Sequence, residues 1–333
     1  MTELLRRELI KGGIALATTA TLFRKRAFAA ASAAEHGQDG VRWITLRNGY
    51  KVWTQRVGHG QKKVLLLHGG PGASHEYMQC FADVLPQAGY EMYFYDQLGC
   101  GQSDKPDDAG LWTLPRYLDE VEEVIEALEL DRLVLVGHSW GGMLGIEYAL
   151  RHHERLSGFV LSNMSASFAD YGAYVRHLRD TLPAAVRARL AELENAGKQN
   201  SQEYDAIIHK ELYGRYICRL DPWPEPVQRS LGGINPVIYN QMQGPDEFTL
   251  TGNLMNWDRW ADLSRIQTRT LVMGARNDEM NPDSIRREAD LIPESSLFIS
   301  ETGSHLAMWD DQKNYFEALL AFLDADDIAK PRR

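Results

Sequence analysis

Cysteine is scarce in this chain: Cys80, Cys100 and Cys218 are the three thiols among 333 residues. Thiols so far apart supply neither a disulfide framework nor the close pairs of a metal site. They read as buried, inert cysteines, and an exported form would keep at least one free. Long apolar runs are also missing. The nearest approach, Gly12 to Phe23, has 12 residues and is too short to cross a bilayer as a helix. Positive charge is in deficit, with 36 Lys and Arg against 46 Asp and Glu and a net charge of −10. So acidic a chain is a poor partner for a phosphate backbone, which argues against nucleic acid. No internal repeat occurs, and no low-complexity tract beyond an alanine-rich stretch near the N-terminus, which excludes solenoids and arrays.

What remains is an ordinary globular composition, 44% hydrophobic and 25% charged, able to bury a sizeable core. The length suits one large domain, or one domain with an inserted lobe.

The first residues read as an address. Arg6-Arg7 precede the weakly apolar run, Arg24-Lys25-Arg26 follow it, and Ala27-Phe28-Ala29 is a small-x-small cleavage site. The pattern resembles a twin-arginine signal, which implies a periplasmic or secreted protein carried across folded; the alternative is a cytoplasmic protein with a basic N-terminus. Cleavage after Ala29 would remove six Arg/Lys and two Glu, leaving a mature chain at −14. No stable membrane insertion is expected.

The rest of the chain alternates two periodicities. Residues 41–57 read as two strands around Asn48-Gly49, a strong hairpin signal. Short runs that are apolar throughout follow: Val64–Leu67, Met92–Tyr95, Leu133–Val136, Phe159–Leu161, Thr270–Met273 and Leu297–Ile299. Such runs fit strands covered on both faces, as in a parallel sheet. Between them, residues 115–130 place Leu118, Val121, Val124, Ile125 and Leu128 on one helical face, with Pro115 in the first turn. The expected fold class is α/β, a mostly parallel sheet of about eight strands. Its core would be residues 34–164 and 262–328. Strand-like runs almost vanish over 165–261, which predicts an inserted, mostly helical cap of the kind that closes over a pocket.

One strand runs straight into a helix with a serine at the corner. Gly137-His138-Ser139-Trp140-Gly141 matches G-x-S-x-G. By residue frequencies, a chain of this length shows such a match by chance about one time in ten, so its context decides. Strand, motif and helix are the order that a nucleophile elbow requires. The partners follow in the order Ser, Asp, His: Asp278 stands just after a late strand and His305 in the loop after the last one. In that arrangement His305 takes the Ser139 proton and Asp278 holds the imidazole tautomer. His68-Gly69-Gly70-Pro71-Gly72 comes directly off a strand, so backbone N–H groups of that loop and of Trp140 are candidates for an oxyanion hole.

HGGPG at 68–72, YDQLGCGQSD at 95–104, GHSWGG at 137–142, GPDEFTLTG at 244–252 and GSHLAMW at 303–309 together resemble the proline iminopeptidase family of α/β-hydrolases. The likeness extends to its branch with the tricorn-interacting aminopeptidase and the amino-acid amide hydrolases, and spans residues 41–325. It implies an α/β-hydrolase fold and a cofactor-free serine hydrolase that releases an unblocked N-terminal residue, preferably proline, from a small peptide or amino-acid amide. By the same resemblance the oxyanion donors are the amides of Gly70 and Trp140. Glu247 and Glu279 would recognise the free amine, with Tyr239 as a nearby hydroxyl. Family members are often intracellular, so the export signal departs from the pattern.

Other conspicuous residues have plainer explanations. His138 packs on the sheet, His68 bonds to backbone, Asp96 ties loops, and His152-His153 ends a helix without partners at metal spacing. Trp140 could also form an aromatic wall, and Trp223 and Tyr216 belong either to the pocket or to cap packing. The competing activity is a general carboxylesterase or lactonase on the same fold, indifferent to a free amine. Dehalogenase and epoxide-hydrolase chemistry is disfavoured because those relatives carry aspartate at the elbow. A non-catalytic receptor would usually lack part of the triad.

Overall fold

Alternate side chains of the apolar runs go to opposite faces of one sheet, and each face has its own core. In the computed structural model, which describes residues 40–199 and 201–325, Leu65, Leu67, Leu133 and Leu135 join one cluster while Val64, Leu66, Val134 and Val136 join the other. This two-step alternation is why runs without polar residues are strands here. The strands are β1 (Val41–Thr45), β2 (Lys51–Val57), β3 (Lys62–Leu67), β4 (Tyr90–Asp96), β5 (Leu133–His138), β6 (Leu156–Ser162), β7 (Thr270–Asn277) and β8 (Ser295–Ser304). They form an eight-stranded sheet in the order β1-β2-β4-β3-β5-β6-β7-β8. The β1–β2 hairpin is antiparallel and turns at Asn48-Gly49, β2 runs antiparallel to β4, and the other pairs are parallel.

Helices α1 (Leu114–Ala127) and α2 (Trp140–Arg151) cover one face. Leu118, Val121, Val124 and Ile125 of α1 are buried there, while Leu128, on the same predicted face, lies just past the helix end and is only partly buried. The other face is covered by a 3₁₀ segment at His75–Asp83, which contributes Phe81, and by the C-terminal helix at Gln312–Asp324, which contributes Tyr315, Phe316 and Leu319. Cys80, Cys100 and Cys218 are free and buried, and burial raises their thiol pKa values.

Strand order places the site. After β3 the chain steps outward to β4, then crosses back past β3 to form β5, so the direction of winding reverses there. Open α/β sheets leave a crevice beyond the carboxyl ends of their strands at such a reversal. The last residues of β3 and β5 are neighbours in register, Leu67 beside Gly137. The loops at Gly69 and Ser139 leave from that point.

Between β6 and β7 lie α3 (Phe168–Asp180), α4 (Ala184–Asn195), α5 (Gln202–Ile208), a wider π-helical stretch at His209–Ile217, α6 (Glu225–Gly232) and α7 (Pro236–Met242). The way out and the way back meet: Ser167 bridges Asp258, Phe168 N–H donates to Trp257 O at 3.0 Å, and Arg259 N–H donates to Ala166 O at 2.8 Å. Buried Glu147 of α2 fastens this neck, accepting from Trp257 Nε1 and Arg259 Nε, both at 2.7 Å. After β7 come α8 (Pro282–Leu291), then β8, α9 (Ala307–Asp310) and α10, the C-terminal helix already described. No helix among the described residues is long and apolar enough to cross a membrane. The export signal expected at residues 1–29 lies outside the described residues.

Candidate active site

Ser139 sits at the turn from β5 into α2 with φ 55° and ψ −128°. A non-glycine residue held in this sparsely populated region costs roughly 1–3 kcal/mol and persists where neighbours over-determine it. Those neighbours are close. A Cβ at Gly141 would stand 2.1 Å from Leu67 O, and one at Gly137 would stand 2.2 Å from Gly141 O. Only glycine lets α2 start so near both strands, which explains the flanking glycines of the motif. Trp140 opens the helix, so its N–H belongs to the first-turn donors without an intrahelical acceptor.

Asp278 and His305 arrive from the ends of β7 and β8. His305 Nδ1–H donates to Asp278 Oδ1 at 2.8 Å. Asp278 is fully buried, with Oδ2 accepting from Asn163 Nδ2 at 2.6 Å and Oδ1 from Met280 N–H at 3.1 Å. These bonds fix the carboxylate plane and thereby the imidazole. His305 is also tied to the inserted segment, its N–H donating to Tyr216 O at 2.9 Å and the Leu306 N–H to Ile217 O at 2.8 Å. Ser139 and His305 border one cavity of about 340 Å³, whose walls include Gly69, Gly70, Tyr213 and Glu247. Gly70 and Trp140 both border a small, mostly apolar crevice that also touches Ser139 and Glu247, with Met143, Met164, Phe168 and Met280.

Several supporting residues escape a reading by motif. Gln97 is one: its N–H donates to His68 Nε2 at 3.1 Å, its Nε2 donates to His68 O at 3.0 Å, and its Oε1 accepts from Trp140 Nε1 at 2.8 Å. It joins the glycine loop to the residue after Ser139. His68 completes the clasp, its Nδ1–H donating to Gly69 O at 2.9 Å; burial lowers its pKa and keeps it neutral. Tyr77 is another, accepting from Gly69 N–H at 2.6 Å and donating to His138 Nδ1 at 2.9 Å. His138 passes the chain on, its Nε2–H donating to His305 O at 2.9 Å. Burial and then His305 hold His138 well below the ordinary histidine pKa. The expectation that His138 merely packs on the sheet therefore understates it. Asp96 does tie loops: burial pushes its pKa up, but His75, His68 and the Gln102 N–H prevail and bring it down to about 2.

The two glutamates differ. Glu247 forms part of the cavity wall, its Oε2 accepting from Gln243 Nε2 at 2.8 Å and the Tyr171 hydroxyl at 2.9 Å. Burial raises its pKa, while Tyr239, His305 and Tyr171 favour the ionised form. Tyr239 borders the same cavity. Glu279, expected to share the wall, is fully buried and absent from it, with Oε1 at 3.6 Å from His305 Nε2. The loop after β7 turns its side chain inward, beside the carboxyls of Glu247 and Asp278. Trp223 and Tyr216 pack in an aromatic cluster with Tyr213 and Phe248, and of these only Tyr213 reaches the cavity. Among the described residues no group of three or more His, Cys, Asp or Glu is placed to hold a metal ion.

Comparison with known proteins agrees with this geometry. Residues 62–312 match the alpha/beta hydrolase fold family. The chain is 40% identical to a proline iminopeptidase of Elizabethkingia meningoseptica over 279 residues, covering 82% of this chain and 94% of the relative. This chain belongs to the proline iminopeptidase family. Two solved structures share its backbone. VinJ is 31% identical with a TM-score of 0.82, over 86% of this chain and 99% of that one. A proline iminopeptidase of Mycobacterium smegmatis is 30% identical with a TM-score of 0.80, over 87% and 99%. The motifs quoted from the sequence thus identify the correct family, and the α/β-hydrolase fold expected from strand rhythm is present.

Proposed function

We propose that the enzyme hydrolyses the amide bond after an unblocked N-terminal residue, preferably proline, through an acyl-enzyme. The observation that carries this reading is Glu247 on the wall of the cavity that also holds Ser139 and the Asp278-bound His305. Ser139 Oγ attacks the carbonyl carbon while its proton passes to His305 Nε2. The amides of Gly70 and Trp140 receive the developing oxyanion. His305 then protonates the leaving nitrogen as the C–N bond breaks, and water, deprotonated by the same imidazole, releases the acid and restores Ser139. Glu247, supported by Tyr239 and Tyr171 and joined by Glu279, receives the substrate ammonium. An acylated nitrogen would leave those carboxylates desolvated without a cation, the kind of penalty that gives strong discrimination. The leaving group is a short peptide or ammonia, since a pocket reading one residue accepts either. Residues 165–261 serve as the cap, and residues 1–29 direct export to the periplasm or beyond.

The test compares L-prolyl arylamide with its N-acetyl counterpart. The free-amine substrate should react at least about 100-fold faster in kcat/KM, the loss typical of an unpaired buried charge. Glu247→Gln should remove most of that preference while leaving an amine-free ester nearly unaffected. Comparable rates on the two arylamides would replace this reading with a general esterase.

A further inference from the structure

The imidazole of His305 lies between two acids. Asp278 holds Nδ1 at 2.8 Å, and Glu279 Oε1 stands 3.6 Å from Nε2, the nitrogen that has to accept the Ser139 proton. Ser139 Oγ has no hydrogen-bond partner among the described residues, and neither has either oxygen of Glu279. Tyr171 lies near Glu279, but its single proton is directed to Glu247. The other ionisable groups facing Glu279 are the carboxyls of Glu247, Asp278 and Asp246 and the phenols of Tyr213 and Tyr239, none of them a base. Burial first, then Glu247 and Asp278, raises the Glu279 pKa well above the carboxylate range. A carboxyl so placed either keeps its proton or takes a cation, and His305 Nε2 is the nitrogen within ion-pair distance.

We propose that Glu279 withholds His305 Nε2 from Ser139 in the substrate-free enzyme, and that the substrate ammonium releases it by taking Glu279 as its own partner. The idea rests on the free-amine reading above. In the free state the Glu279 carboxyl keeps its proton and closes the 3.6 Å gap to Nε2, donating a hydrogen bond that engages the Nε2 lone pair. An arriving ammonium meets Glu247 at the cavity wall and then offers its N–H donors to Glu279. The carboxylate is stabilised, its proton leaves to solvent, and Nε2 becomes free to accept from Ser139. Recognition of the amine thereby switches on the base, so an amine-free acyl group is disfavoured in chemistry as well as in binding.

The experiment measures inactivation by an alkyl fluorophosphonate, which carries no amine. Ser139 Oγ bonds to phosphorus, fluoride leaves, and the hydroxyl proton passes to His305. Glu279→Leu, which cannot engage Nε2, should be labelled roughly tenfold faster than wild type, as expected if Nε2 is free in about a tenth of the wild-type molecules. Its kcat/KM on L-prolyl arylamide should fall. A second measurement needs no variant: with ¹⁵N-histidine, the His305 Nε2 resonance of wild type should show a hydrogen-bonded nitrogen in the free enzyme and shift to that of an unbonded one on adding pyrrolidine. An unchanged or slower labelling rate in a folded Glu279→Leu protein overturns the gate, as does an Nε2 resonance that is the same with and without pyrrolidine. Loss of free-amine preference in wild type would instead overturn the function reading; preference retained without a labelling gain would sink the gate alone.

Discussion

At the rim of the sheet, the polar groups around Ser139 answer one another. Gln97 bonds at three points, Tyr77 and His138 join Gly69 to the His305 carbonyl, and Asn163 holds Asp278. Around the two glutamates the arrangement is looser. Glu247 has Tyr171 and Gln243, while the carboxyl oxygens of Glu279 have no partner at hydrogen-bond geometry. The rim is preorganised for a reaction whose charges appear in fixed places. The glutamate side keeps unmet acceptor capacity, which under the proposed function a substrate ammonium satisfies and an acylated nitrogen does not.

The hardest way to break the rim is to remove its proposed nucleophile. Ser139→Ala should lower kcat on L-prolyl arylamide by roughly 10⁶-fold, the scale of losing such a serine elsewhere. Its circular dichroism should stay native, because alanine fits the same turn with one atom fewer. Residual turnover within tenfold of wild type would show that another group attacks.

A gentler break is Gln97→Leu, which keeps the bulk and removes the links from Gln97's side chain to His68 O and Trp140 Nε1. A misplaced oxyanion donor costs up to about 10²-fold, so kcat should fall by roughly 10- to 100-fold with KM little changed. Gln97→Glu keeps an acceptor for Trp140 and should recover part of that loss. If KM rises while kcat holds, Gln97 shapes binding rather than the oxyanion hole.

The same contrast governs how much could be read from the sequence. The strands were legible because Leu65, Val64 and their neighbours are apolar on both faces, and Ser139 because glycines 137 and 141 leave a fixed spacing. Asp278 and His305 followed from chain order at strand ends. Gln97, Tyr77 and Asn163 were not legible: each acts through a partner 43 to 115 positions away, and no local pattern marks a side chain for such a contact. Asn163 did carry a faint sign, since it directly follows a buried strand. The buried position of Glu279 could not be foreseen, because adjacency to Asp278 says nothing about which way the next side chain turns.

The neck joins the two regions, and its failure should spare the chemistry. Glu147 belongs to the helix that Ser139 begins, and it binds Trp257 Nε1 and the Arg259 guanidinium where the inserted segment returns. Replacing it with leucine leaves the indole N–H and part of the guanidinium without an acceptor. Each buried donor so orphaned costs about 1–3 kcal/mol, so thermal unfolding should show a loss of that order. Glu147→Gln retains an oxygen for Trp257 and should lose less. If the inserted segment depends on this anchor, the free-amine preference should narrow in Glu147→Leu, while fluorophosphonate labelling of Ser139, which draws on the rim, stays within a few-fold of wild type. Equal loss of both would mean that α2 transmits the damage to the elbow, and that rim and inserted segment are one mechanical unit.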